Sequence, residues 1–202
     1  MSSKVSRKIC CWLSNNKTIE ISDYDLYVYA INSLLFGLAP IFIALILGVL
    51  SNSTKEAIIM IIPFMLIRKF SGGYHLKRPG TCLIISTMLV AIALWLINFI
   101  TASDSGSVLT IFVIISCLIT FMFSPIDSES RPLNKSEKIF FGKIAKFLTL
   151  IFFIIYVLLC LFAATNISSS IGVGIVLVAF LQLPCIIKKD ISVVPGKKSS
   201  NK

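Results

Sequence analysis

The sequence predicts an all-α, polytopic integral membrane protein: six transmembrane helices preceded by an amphipathic interfacial N-terminal helix. Three observations predict it. Apolar residues make up 56% of the 202 and charged ones only 14%, and the mean hydropathy is +0.93; a soluble domain carries roughly 25% charged residues. The apolar residues fall into blocks, most of them near the about 20 residues that cross a bilayer. The 19 Lys and Arg, set against nine Asp and Glu, lie almost entirely between those blocks, as in membrane proteins. This excludes disorder, a secreted disulfide scaffold and a nucleic-acid binder, despite the net charge of +10.

At the N-terminus, Val5, Ile9, Trp12 and Leu13 recur at helical spacing, with Lys4, Arg7 and Lys8 elsewhere around the turn. A basic amphipathic segment with a Trp suits an anionic inner leaflet. Met1 to Asp23 has no apolar core of signal-peptide length, so no cleavable leader is expected. The first span is read as Leu26 to Leu50, with Gly37, Pro40 and Gly48 inside it. Ala57 to Ile67 is the second and shortest, ending at Arg68 and Lys69. Leu83 to Ile100, Val108 to Phe123, Phe147 to Ala164 and Ile171 to Ile187 complete the six. The expected organisation is a face segment over 1–22, a membrane domain over 23–190 and a basic tail over 191–202.

Loop charges orient the chain. Eighteen of the 19 Lys and Arg fall in the N-terminal segment, the loops after spans two and four, and the C-terminal tail; Lys55 is the exception. The positive-inside rule then puts both termini in the cytosol. An odd number of spans would break the alternation. The three pairs of spans share no repeated motif, which weakens an inverted-repeat transporter reading.

One segment is not span filler. Residues 68–82, RKFSGGYHLKRPGTC, hold the only His of the chain, a Gly-Gly pair, a Pro-Gly pair and Cys82 at the threshold of span three. An imidazole that takes a thiol's proton makes a thiolate nucleophile. On an unbroken helix, residues seven apart share a face but stand roughly 10 Å apart along the axis. A general base must come within about 3 Å. Pro79-Gly80 is a strong turn signal, and a chain folded back there brings His75 toward Cys82. A helix beginning near Cys82 favours its thiolate through the helix dipole. Gly72 and Gly73 allow backbone conformations closed to other residues. Against this stands a blander reading, a basic loop beside a small buried thiol. Cys117, Cys160 and Cys185 read as apolar packing residues, and Cys10 and Cys11 as packing residues with acylation as the alternative. One His and scattered Cys give no metal site, and no cofactor is expected.

Arg68, Gly72-Gly73, Tyr74, His75 and Cys82 resemble the signature of the accessory gene regulator B family of membrane peptidases. The basic N-terminus, the six spans and the stretch from Ser124-Pro125-Ile126-Asp127 to Arg131-Pro132-Leu133 are also similar to that family's layout. The resemblance implies a cysteine endopeptidase acting on a small quorum-sensing propeptide with an amphipathic leader. Cys82 is its nucleophile and His75 its general base, with Arg68, Gly72 and Gly73 shaping the site. Cleavage through an acyl-enzyme leads to a thiolactone or lactone ring. The expected partners are that propeptide and anionic lipid, with no nucleic acid; a homodimer is left open. Asp127, Glu129 and Asp25 all stand as candidates for a third catalytic member. The alternative from another class is a multi-span exporter of a peptide without proteolytic activity. Its mark would be charge at mid-membrane, whereas the span interiors hold only Asn32, Asn98 and Gln182. A third class, a scaffold or lipid anchor, needs only the basic faces. Neither rival uses the pair His75 and Cys82.

Overall fold

A computed structural model describes residues 2–16, 23–72, 79–103, 105–126 and 134–193. Among the described residues seven α-helices run in chain order: α1 (Ser2–Asn15), α2 (Tyr24–Leu50), α3 (Thr54–Ser71), α4 (Pro79–Ser103), α5 (Gly106–Phe123), α6 (Lys135–Leu161) and α7 (Thr165–Val193). The protein is all-helical in its named elements. Among the described residues four stretches are long and apolar enough to cross a membrane: Ile84–Ser103, Gly106–Phe123, Ser136–Leu161 and Thr165–Ile187. Gly37–Leu50 is a shorter apolar helix, and α3 carries charge at both ends, Lys55 and Glu56 at one and Arg68 and Lys69 at the other.

The chain divides into two compact units, Met1–Ile43 and Ala44–Lys202. In the smaller one, α1 leaves Val5, Ile9 and Trp12 exposed while Cys10 is buried. The Tyr24 hydroxyl reaches Cys11 Sγ at 3.3 Å and donates to the Arg7 carbonyl at 3.4 Å. The Cys11 contact and then burial push the Tyr24 phenol above its ordinary range. Burial, followed by the neighbouring Cys11, raises the Cys10 thiol.

The larger unit is built around α7, which packs against α3, α4, α5 and α6. Its residues 168–175 are all buried, and they are mostly small: Ser168, Ser169, Ser170, Gly172 and Gly174 among them. Small side chains let helices approach where lipid supplies no hydrophobic drive between them. A Cβ on Gly174 would stand 2.6 Å from the Met60 carbonyl oxygen and 2.9 Å from Pro63 Cγ, so α3 lies directly on the α7 backbone there. Buried hydroxyls are satisfied locally or across helices. Thr120 donates to the Ser116 carbonyl at 2.9 Å, Thr149 to that of Ala145 at 2.8 Å, and Thr110 Oγ1 meets the Tyr156 hydroxyl at 2.9 Å. The outer surface is the reverse of a soluble protein's: Trp95 is 64% exposed and Met122 77%, beside Ile84, Met88, Ile111 and Leu118. Water does not tolerate apolar surface of this extent, and a bilayer does.

Sequence features set the helix ends. Ser53 and Asn98 exchange hydrogen bonds of 3.0 and 3.2 Å, tying the α2–α3 turn to α4. The Glu137 carboxylate accepts from the Asn134 N–H at 3.1 Å, one half of a capping box. That cap starts α6 twelve residues before the apolar block at Phe147 from which the fifth span is read. Pro79 begins α4, where a missing N–H costs nothing and the fixed φ suits a helix. Here the structure corrects the sequence reading. The Pro79-Gly80 pair is the opening of a helix rather than a fold-back turn, and the chain leaves helical geometry at Gly72.

Candidate functional site

α3 ends at Ser71. Gly72 follows with φ +74° and ψ −159°, a region essentially closed to residues with a Cβ. Its N–H still donates to the Arg68 carbonyl at 3.2 Å. One residue earlier, the Ser71 carbonyl accepts from the Ile126 N–H at 2.9 Å, and Gly72 and Ile126 form an isolated parallel bridge. A Cβ on Gly72 would collide with the Ile126 carbonyl oxygen. Both the torsion and the close approach therefore require glycine at this position.

The segment that meets Gly72 is the exit of α5. Ser124 closes that helix by donating its N–H to the Thr120 carbonyl at 3.0 Å, a cis peptide joins it to Pro125, and Ile126 follows. α6 covers Pro125 closely: a Cβ on Gly142 would stand 2.9 Å from Pro125 Cδ. From α7, the fully buried Gln182 donates through Nε2 to Ser124 Oγ at 3.2 Å. Phe70 of α3 and Phe141 of α6 add a tilted ring contact, centroids 6.0 Å apart. Arg68, in the last turn of α3, lies over the Phe64 ring at 5.9 Å. A cation at a helix C-terminus is favoured by the helix dipole.

Cys82 is the fourth residue of α4, within the first turn, where the positive end of the dipole favours thiolate. Of Pro79, Gly80 and Cys82 the backbone alone is described; Gly73, Tyr74 and His75 lie outside the described residues, so the meeting of His75 and Cys82 rests on the sequence. Among the candidate third members, Asp25 is exposed at the start of α2 in the smaller unit. Asp127 and Glu129 lie outside the described residues, but Asp127 directly follows Ile126, the partner of Gly72.

Sequence reasoning missed the strap formed by Ser124, Pro125 and Ile126 as a neighbour of the α3 exit. It noted Gln182 only as a polar residue in a span. The signal was present: an amide in an apolar block, and a Ser-Pro pair immediately after another. At the opposite end of α4, a cavity of about 240 Å³ lies among the ends of α4, α5, α6 and α7. Thr101, Ser107, Thr110, Tyr156 and Ser168 give it hydroxyls, and its lining carries no formal charge.

Fold and surface are those of an α-helical membrane protein with, among the described residues, four helices long and apolar enough to cross a bilayer, its third helix ending at a glycine bridged to the exit of the fifth. The profile of the accessory gene regulator B family matches residues 6–183. The chain belongs to that family, whose work is accessory gene regulation in quorum sensing. It is 26% identical over 144 residues to a putative AgrB-like protein of Clostridium perfringens strain SM101, an alignment covering 68% of this chain and 65% of the relative. Putative AgrB-like protein 2 of C. perfringens strain 13 matches with the same identity and coverage. The accessory gene regulator protein B of Staphylococcus saprophyticus is 24% identical over 127 residues, 63% of this chain and 64% of that protein. The chain thus spans just under two thirds of the length of the curated relatives it matches. No solved structure matches it.

Proposed function

We propose that this chain is a membrane cysteine endopeptidase that cuts a small autoinducer propeptide and promotes its cyclisation. His75 takes the proton of Cys82, and the thiolate attacks the scissile carbonyl. The C-terminal part of the propeptide leaves as an amine that receives the proton, and the remainder stays on Cys82 as a thioester. An internal Cys or Ser of the peptide then attacks that thioester, closing a thiolactone or lactone and freeing Cys82. Arg68, Gly72, Gly73, Pro79 and Gly80 shape the site. Making a thioester from an amide is uphill, so the acyl-enzyme must be kept from water until the ring closes; a site beside apolar helices suits this. The proposed topology has six spans, α2 to α7, with α1 lying in the inner interface and both termini and the site facing the cytosol.

The observation that carries the reading is the position of Cys82 in the first turn of α4, ten residues after the Gly72 that closes α3. It is supported by membership of a quorum-sensing family. The test is incubation of the purified protein, in lipid vesicles, with the small propeptide encoded beside it, with mass measurement of both fragments. Cleavage is expected from the parent and none from Cys82→Ala, while Cys10, Cys11, Cys117, Cys160 and Cys185 tolerate joint replacement by Ala. Cleavage by Cys82→Ala refutes the reading. Passage of uncut peptide across the vesicle wall supports the exporter instead.

A further inference from the structure

We infer that Gln182 and Ser124 are a positioning pair for the candidate site: their hydrogen bond fixes the strap at the α5 exit, and the strap fixes Gly72, where the segment carrying His75 leaves α3. The inference rests on the peptidase reading above.

The strap is three residues long and is gripped from three sides. α7 holds Ser124 through the Gln182 amide at 3.2 Å. α6 presses on Pro125 at Gly142. α3 receives the Ile126 N–H on the Ser71 carbonyl at 2.9 Å. Two of these contacts are directional hydrogen bonds, and they lie on consecutive links of one path from α7 to the α3 exit. If Ser124 turns or slides, the Ile126 N–H moves with it, two peptide units away.

Gln182 is a poor choice for stability alone. It is fully buried on α7 between Ala179 and Pro184, and among the described residues its Oε1 meets no donor. A buried carbonyl left without a donor costs about 1–3 kcal/mol, and an aliphatic side chain of similar size would fill the slot without that cost. What the amide supplies and an aliphatic cannot is direction: an N–H aimed at one hydroxyl. Ser124 is itself 8% exposed, so the bond is shielded from competing water and holds its geometry.

The test uses the full chain in vesicles, with the other five cysteines replaced by Ala so that Cys82 is the sole thiol. Gln182→Met, Ser124→Ala, the double variant and Ser124→Thr are compared with the parent. Three quantities are read: the single-turnover rate of acyl-enzyme formation, KM for the propeptide, and the pH profile of Cys82 alkylation without substrate. Each single loss is expected to slow acylation about tenfold, since small misplacements of reacting groups are costly. KM should stay within about twofold, because peptide capture is untouched, and the alkylation profile should shift, because it reports the geometry at Cys82. The double variant should be no slower than either single, since both break one bond. Ser124→Thr, which keeps the hydroxyl, should recover most of the rate. Single variants that acylate at the parental rate overturn the inference. So does a double variant whose loss is the product of the two, a Ser124→Thr no better than Ser124→Ala, or an unmoved alkylation profile. The peptidase reading fails separately, on Cys82→Ala: if that variant is dead and Gln182→Met is fully active, only the positioning role is lost.

Discussion

The backbone N–H of Ile126 donates to the carbonyl oxygen of Ser71 across 2.9 Å. This bond joins two chain exits that are far apart in sequence, those of α3 and α5. In lipid, backbone groups at a helix end need partners from the protein itself; here each exit supplies the other's. The segment with His75 and the segment with Asp127 therefore leave from one fixed point.

Replacing Gly72 by Ala should damage this point twice over. The backbone conformation at φ +74° and ψ −159° costs about 1–3 kcal/mol for a residue with a Cβ, and the new methyl meets the Ile126 carbonyl. The expected outcome is a lower thermal midpoint in detergent micelles together with a larger fall in propeptide cleavage. A variant with the parental midpoint and the parental rate would show that Gly72 does not pin the segment.

Gly174→Ala tests the centre of the bundle. The added methyl meets the Met60 carbonyl at 2.6 Å, backbone against backbone, and overpacking of this kind costs about 1–3 kcal/mol. Gly37→Ala is the control, because nothing lies within 4 Å of a Cβ there, and Ala is the better helix former by about 1 kcal/mol. Denaturant titration of helicity in micelles should separate them, Gly174→Ala losing stability and Gly37→Ala losing none.

Because Pro79 opens α4, its role is to stop the helix from extending backward. Pro79→Ala removes that stop and also frees Arg78 from the restriction a following proline imposes. The helix start then moves away from Cys82, and the dipole effect fades beyond the first turn. Alkylation of Cys82 near neutral pH should slow, while Cys82 labelling under denaturing conditions stays unchanged. Equal alkylation rates in parent and variant would count against the dipole's role.

Topology is open to direct labelling. Single cysteines at 71–81 and 126–140 should be reached from the cytosolic side, and those at 103–107 and 166–169 from outside. The motive is the placement of 18 of the 19 Lys and Arg in alternate loops. Labelling of 71–81 from outside would remove both the topology and the peptidase reading, since a propeptide made in the cytosol would not meet its site.

Much of the fold was legible in the sequence because lipid makes composition informative. Apolar blocks announce helices, and helices cover every block from which a span is read. Boundaries were less legible: α6 starts at Lys135 because Glu137 caps Asn134, a polar local effect that hydropathy averages away. Pro79 was ambiguous, since proline both breaks a helix and begins one, and only the chain before it decides which. The Ser-Pro pair of the strap stands out in the sequence, but its contact with Gly72 was not legible there. It depends on a contact between residues 71 and 126, and no local pattern encodes which two loops of a bundle will meet. Gln182 illustrates the same limit: its chemistry is visible in the chain, its partner is not.

At Gly174 the two central helices touch with no side chain between them, and this bears on what kind of machine the bundle can be. Sliding α3 along α7 by about a turn would set Met60 against the residues that share Gly174's face, Ser170 and Ile171 or Leu177 and Val178, all of which carry a Cβ. The close approach keys the two helices to one register, as a splined shaft is keyed, so a piston stroke across this contact would have to prise it apart. A bundle so keyed suits the stationary scaffold that the proposed peptidase requires.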